Sequence, residues 1–188
     1  NNRIDNNSLL TQINGANTSA VYVANTSTIL GGLTFDNSTF SSQAATNGQG
    51  YVVLSSMGTA AMTLNVQTNC QFTGLYGSAI VANAGNNSLS TATINLNIDG
   101  SDFLSPAVNG LGNIEMMALQ SGTVNFDISN NTLDGVGIPL AAVGVINIQA
   151  LDAGKLNGTV DYNTIRNVTG YIGIRVESTM TAGPHNVT

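Results

Sequence analysis

The 188 residues predict an all-β repeat protein, a triangular coil of parallel strands, on three observations. Similar stretches ending in a large apolar residue return every 30–32 residues along the whole chain. Within each repeat, three short runs of β type are separated by Gly, Asn and Ser clusters, and none has the length or the 3.6-residue period of a helix. Charged residues make up 7% of the chain and hydrophobic ones 42%, so the charge lies far below the roughly 25% of an ordinary globular domain while the apolar content suffices for folding.

The repeats end at Leu9, Phe40, Phe72, Phe103, Leu133 and Ile165, in the strings RIDNNSL, TFDNSTF, NVQTNCQF, NIDGSDF, DISNNTL and TVDYNTI. Six coils of about 31 residues tile positions 1–188 as a single domain, with no remainder for a second. The first run of each coil places Ile4, Phe35, Val66, Ile98, Ile128 and Val160 in one column and Leu33, Leu64, Leu96 and Phe126 in another two residues earlier. Both columns face inward, because side chains two apart share one face of a strand. A one-residue corner follows, occupied by Asn6, Asn37, Asn69, Gly100, Asn130 and Tyr162, and Asn and Gly are the residues that tolerate a left-handed backbone there. Thr68 is one residue too many at the third corner. The second run carries the anchor residue. The third supplies Val21 and Val23, Ile80, Ile114 and Met116, Ile146 and Ile148, and Ile172 and Ile174 to the interior. Its outward positions are read as Tyr22, Val52, Glu115, Met117, Asn147, Gln149, Arg175 and Glu177. Three strands per coil, each apolar on its inner side, bury a core only by stacking on neighbouring coils.

Stacked about 4.8 Å apart, the corner residues Asn6, Asn37, Asn69 and Asn130 are placed to hydrogen-bond amide to amide along the axis. This arrangement resembles the asparagine ladder of the pectate-lyase-like superfamily, and NNTLDG, DYNTIRN and GIRV are similar to its generic repeat. The resemblance covers the whole chain and implies a right-handed parallel β-helix. Enzymes, phage tailspikes and bacterial surface adhesins share that fold, so function has to be read from sites.

Four Lys+Arg against ten Asp+Glu leave a net charge of −6, which excludes a cationic surface for nucleic acid or an anionic membrane. No stretch approaches the roughly 20 apolar residues of a membrane span. Cys70, the single cysteine, is read as filling a small-residue position rather than as a metal ligand. Asp5, Asp36, Asp99 and Asp161 precede the corner and point outward, in a line interrupted by Gln67 and Ser129. Such a line suits either Ca²⁺, which takes several oxygens, or carboxylates accepting from the turn backbone. The second reading is preferred, so no cofactor is expected. Glycoside hydrolysis usually needs two carboxylates about 5–9.5 Å apart. The formal candidates are Glu115 and Glu177 with Arg175 beside them, although Arg175 and Glu177 more simply suggest a surface ion pair. His185, the single histidine, reads as a loop residue without a nearby nucleophile. Among the Asn-x-Ser/Thr sequons, Asn17, Asn25 and Asn86 are read as loop positions open to a glycan, whereas Asn6, Asn37 and Asn130 are closed by the ladder.

The expected function is a non-catalytic structural or adhesive segment of an exported cell-surface protein or extracellular filament, similar to autotransporter-type passengers and filamentous adhesins. A polysaccharide lyase or depolymerase, and a glycan-binding module, are the alternatives, and sparse aromatics (Tyr22, Tyr51, Tyr76, Tyr171) weigh against the last. The chain, lacking an initiating Met and a secretory leader, reads as a mature or excised segment with an extracellular location. NNRID at one end and HNVT at the other lie in equivalent strands without a cap, which predicts partners that are adjacent coils or end-to-end copies of the chain itself. The six coils contribute roughly 29 Å of rod length.

Overall fold

The computed structural model describes residues 2–4, 9–12, 21–26, 32–42, 51–74, 78–85, 89–104, 112–134, 144–168, 172–179 and 184–188, with side chains from residue 21 onward except that of Ser42. Asn6 and Asp5 therefore lie outside the described residues. Nineteen strands and no helix occur among them, in three parallel sheets. Sheet A contains β1 (Asn2–Ile4), β4 (Leu33–Asp36), β7 (Ala61–Gln67), β10 (Thr93–Asp99), β13 (Thr123–Ser129), β16 (Lys155–Asp161) and β19 (Asn186–Val187) in that spatial order. Sheet B contains β2 (Leu9–Gln12), β5 (Thr39–Ser42), β8 (Gln71–Thr73), β11 (Asp102–Phe103), β14 (Thr132–Asp134) and β17 (Thr164–Arg166). Sheet C contains β3 (Val21–Asn25), β6 (Val52–Ser56), β9 (Ile80–Ala84), β12 (Ile114–Ala118), β15 (Gly144–Ala150) and β18 (Ile172–Ser178). Every strand pairs with the strands three places before and after it, which defines a parallel β-solenoid with three strands per turn.

The expected columns set the core. Phe35, Val66, Ile98 and Ile128 are buried in register on sheet A, beside Leu64, Leu96 and Phe126. On sheet B the anchors of three successive coils stack as rings, Phe40 on Phe72 at 4.6 Å between centroids and Phe72 on Phe103 at 4.7 Å, with nearly parallel planes. Identical side chains on adjacent rungs thus pack face on face, and each pair contributes roughly 0.5–1.5 kcal/mol beyond its burial. Register shifts two of the expected positions. Leu10, not Leu9, pairs with Phe40, so the first interval is one residue shorter. Val52 pairs with Val21 and Ile80 and is fully buried, which puts Val53 in the outward column instead.

The corner between sheets A and B is left-handed in five successive coils, with φ of 46° at Asn37, 60° at Asn69, 59° at Gly100, 57° at Asn130 and 51° at Tyr162. At the third corner Thr68 shares this conformation with Asn69, and the Asn37 N–H donates to the carbonyls of both Gln67 and Thr68. The corner between sheets C and A is a four-residue turn in which Ala60, Gly122 and Gly154 donate to Met57, Leu119 and Leu151 respectively. A second left-handed residue, Gly58, Gln120 or Asp152, closes each of these turns. At Gly122 an added Cβ would lie 2.4 Å from the Ala84 carbonyl oxygen of the preceding coil, so a side chain there would force two coils apart.

Candidate functional site

Among the described residues the corner amides of Asn37, Asn69 and Asn130 do not form the expected ladder. Asn37, Asn69 and Asn130 are exposed, and the amide of Asn130 donates to Asp99 Oδ1 at 2.8 Å. A single left-handed residue sits on the outside of its bend, so its side chain points away from the core and the next residue turns inward. That next column is Ser38, Cys70, Ser101, Asn131 and Asn163. Its two asparagines make an internal ladder of two rungs: Asn131 Nδ2 donates to Asn163 Oδ1 at 2.9 Å and to the Ile98 carbonyl at 3.0 Å, while Asn131 Oδ1 accepts from the Ser101 N–H. Asn163 Nδ2 donates to the Ile128 carbonyl at 2.6 Å. The exposure of Asn37 and Asn130 also reverses the sequon reading. Asn25 is a buried strand residue whose amide donates to the Ala61 carbonyl. Asn17 and Asn86 lie outside the described residues.

The described outward aspartates are spaced by two rungs each, because Gln67 separates Asp36 from Asp99 and Ser129 separates Asp99 from Asp161. Two rungs amount to about 10 Å, too far for Asp36 and Asp99, or Asp99 and Asp161, to share one cation. Asp99 Oδ1 accepts from Ser129 Oγ at 3.1 Å as well as from Asn130, so its partners are side chains of the next coil rather than the turn backbone.

On the outer face of sheet C, Glu115, Asn147 and Arg175 occupy successive rungs of one column, and Met117, Gln149 and Glu177 those of the next. Glu115 and Glu177 thus differ by two rungs and two residues, about 12 Å between Cα atoms. Glu177 is engaged by Arg175 Nη2 at 2.8 Å and by Gln149 Nε2 at 2.8 Å. Glu115 is 8% exposed and accepts a hydrogen bond from Ser78 Oγ; Asn147, 2% exposed, leaves its Oδ1 without a partner. The outward positions Glu115, Gln149 and Arg175 therefore lie on a face that is partly closed, since Val53 and Val81 above them are also buried. His185 is not isolated either, for its Nε2 lies 2.9 Å from Ser178 Oγ, yet its Nδ1 has no orienting partner. Among the described residues no three His, Cys, Asp or Glu side chains converge as metal ligands.

The outer face of sheet A carries the most regular polar array, one that the sequence reading missed. Its columns are Thr63, Asn95, Asn125 and Asn157, and, two residues on, Thr34, Asn65, Asn97, Asp127 and Thr159. A groove of about 560 Å³ runs between them, with Phe126 and Gly158 also lining it. The signal in the sequence was Asn at alternate positions of successive first runs, as in INLNID and VNFDIS. No protein family, curated protein or solved structure matches the chain.

Proposed function

We propose that this β-solenoid is a non-catalytic structural and adhesive segment of an exported cell-surface protein or extracellular filament, similar to autotransporter-type passengers of pectate-lyase-like fold. The observation that carries this reading is the dispersal of ionisable groups over a regular stack. Each carboxylate described on sheet C has a hydrogen-bond or ion-pair partner. A rod of identical rungs, closed by in-register ladders, suits a stalk that holds its shape under load. Partners along the axis are further coils or copies of the chain. In support, the inward column of β18 is open, with Ile172 45%, Ile174 43% and Val176 50% exposed.

A carbohydrate-active reading, lyase or depolymerase, is favoured by one observation, the stacking of buried Glu115, the unpartnered Asn147 oxygen and Arg175 in a single column. The deciding experiment incubates the chain with neutral and acidic polysaccharides and follows new reducing ends and unsaturated products. In parallel, the chain displayed on beads is scored for retention on polysaccharide-coated surfaces. Retention without turnover is expected. Turnover abolished by Glu115→Gln or Glu177→Gln would replace the adhesive reading with the catalytic one.

A further inference from the structure

The geometry points to the groove on the outer face of sheet A as a binding site for a linear neutral polysaccharide lying along the solenoid axis. This deepens the adhesive reading and rests on it for the role of the bound polymer. Both walls are hydrogen-bonded ladders. Asn95 Nδ2 donates to Thr63 Oγ1 at 3.3 Å, Asn125 Nδ2 to Asn95 Oδ1 at 2.8 Å and Asn157 Nδ2 to Asn125 Oδ1 at 3.1 Å. In the second wall Asn65 Nδ2 donates to Thr34 Oγ1 at 3.4 Å, Asn97 Nδ2 to Asn65 Oδ1 at 2.8 Å and Thr159 Oγ1 to Asp127 Oδ1 at 3.1 Å. A carboxamide has two N–H donors and two acceptor lone pairs, and the ladder engages at most one of each. Every amide rung keeps a donor and an acceptor that the ladder does not use, on the outer face of the sheet and repeated about every 4.8 Å. Vicinal hydroxyls of a pyranose present the complementary pair, and a linear chain of such rings advances by a length comparable to one rung.

The ladders also fix the amides before any ligand arrives, so little side-chain freedom is lost on binding. Charge selects among polymers. The second wall holds Asp127 and the column beyond it adds Asp36, Asp99 and Asp161, against Arg3 on the rung before Thr34 and Lys155 in the column beyond the first wall, so acid outnumbers base on this face within a chain of net charge −6. Polyanions, nucleic acid included, meet repulsion there, since they need cations at the surface. A peptide strand would seek a sheet edge rather than a face.

The test titrates the whole chain with neutral hexasaccharides of glucose, mannose, xylose and N-acetylglucosamine and, for comparison, with an oligogalacturonate, by calorimetry. At least one neutral hexasaccharide is expected to bind, with little dependence on salt. Asn125→Asp, which keeps the acceptor but removes donors and adds charge, and Asn97→Arg, at an exposed rung, are each expected to weaken it about tenfold, the equivalent of one lost hydrogen bond. Circular dichroism checks that both variants keep the native β signal, and Glu177→Gln on sheet C leaves binding unchanged. Failure of every neutral hexasaccharide to bind, binding that survives both groove variants, or preference for the oligogalacturonate overturns the proposal. Retention on coated surfaces without hexasaccharide binding would remove the groove and leave the adhesive reading, whereas shortening of a bound hexasaccharide would remove the non-catalytic reading and leave the groove.

Discussion

Cys70 shows how much one column decides for a single residue. Ser38 and Ser101, its neighbours one coil away, donate their hydroxyls to the carbonyls of Asp36 and Asp99 at 2.9 and 3.2 Å, and Cys70 Sγ makes the equivalent contact to the Gln67 carbonyl at 3.3 Å. Burial pushes the thiol pKa up from its ordinary value, with the negative charge of Asp36 adding to the effect and backbone hydrogen bonds opposing it. The folded chain therefore keeps the thiol proton at a pH where the unfolded chain releases it. Stability is complete below the ordinary thiol range and falls as pH rises through it. Urea midpoints recorded from neutral to alkaline pH should show this decline in the native chain and lose the thiol's share of it in Cys70→Ser, which the column already accepts on both sides. An equal decline in both proteins would assign it elsewhere. At this scale the sequence announced that Asn37, Asn69 and Asn130 bend the backbone, because few residues adopt a positive φ. It did not announce where their side chains go, because that depends on which side of the bend the core lies.

Among elements, strands were legible and faces only in part. Period-two alternation placed Phe35, Val66, Ile98 and Ile128 in one inward column, and β4, β7, β10 and β13 bury all four. The parity of Val52 and Val53, both apolar, was settled only by pairing with Val21 and Tyr22 of the neighbouring strand. Burial of Glu115 and Asn147 follows from nothing in the alternation, which marks them as outward and is right about direction but not about exposure. The outward asparagines of β10 and β13 are ordinary polar positions until register stacks them into a ladder. Corners are the elements most open to test. Gly100 has φ of +59° and nothing within 4 Å of an added Cβ, so its requirement is conformational rather than steric. Gly100→Asn, the residue three other corners use, should leave the urea midpoint nearly unchanged, whereas Gly100→Val should cost about 1–2 kcal/mol. Equal destabilisation by the two would mean that space, not backbone handedness, governs the corner.

The molecule as a whole is quasi-one-dimensional, each coil touching only the coils beside it, so its stability approximates a sum of coils and interfaces. Interior coils are gripped on both sides. The coil ending in β18 is less enclosed, with Ile165 half-buried where Phe72 is fully buried. Phe72→Ala should cost about 3–5 kcal/mol and Ile165→Ala markedly less. Amide exchange should run faster in β18 than in β12, and uniform protection along the axis would contradict the picture of a stack that frays from its ends. Thr68 has a further consequence. Asp36 pairs with Gln67 before the corner and Thr39 with Gln71 after it, so the extra residue is absorbed at the bend and both flanking sheets stay in step. A stack whose joints tolerate such slack is modular: coils can be excised or grafted between equivalent corners, and copy number becomes a dial for the reach of the rod, turned by duplication without redesigning any interface.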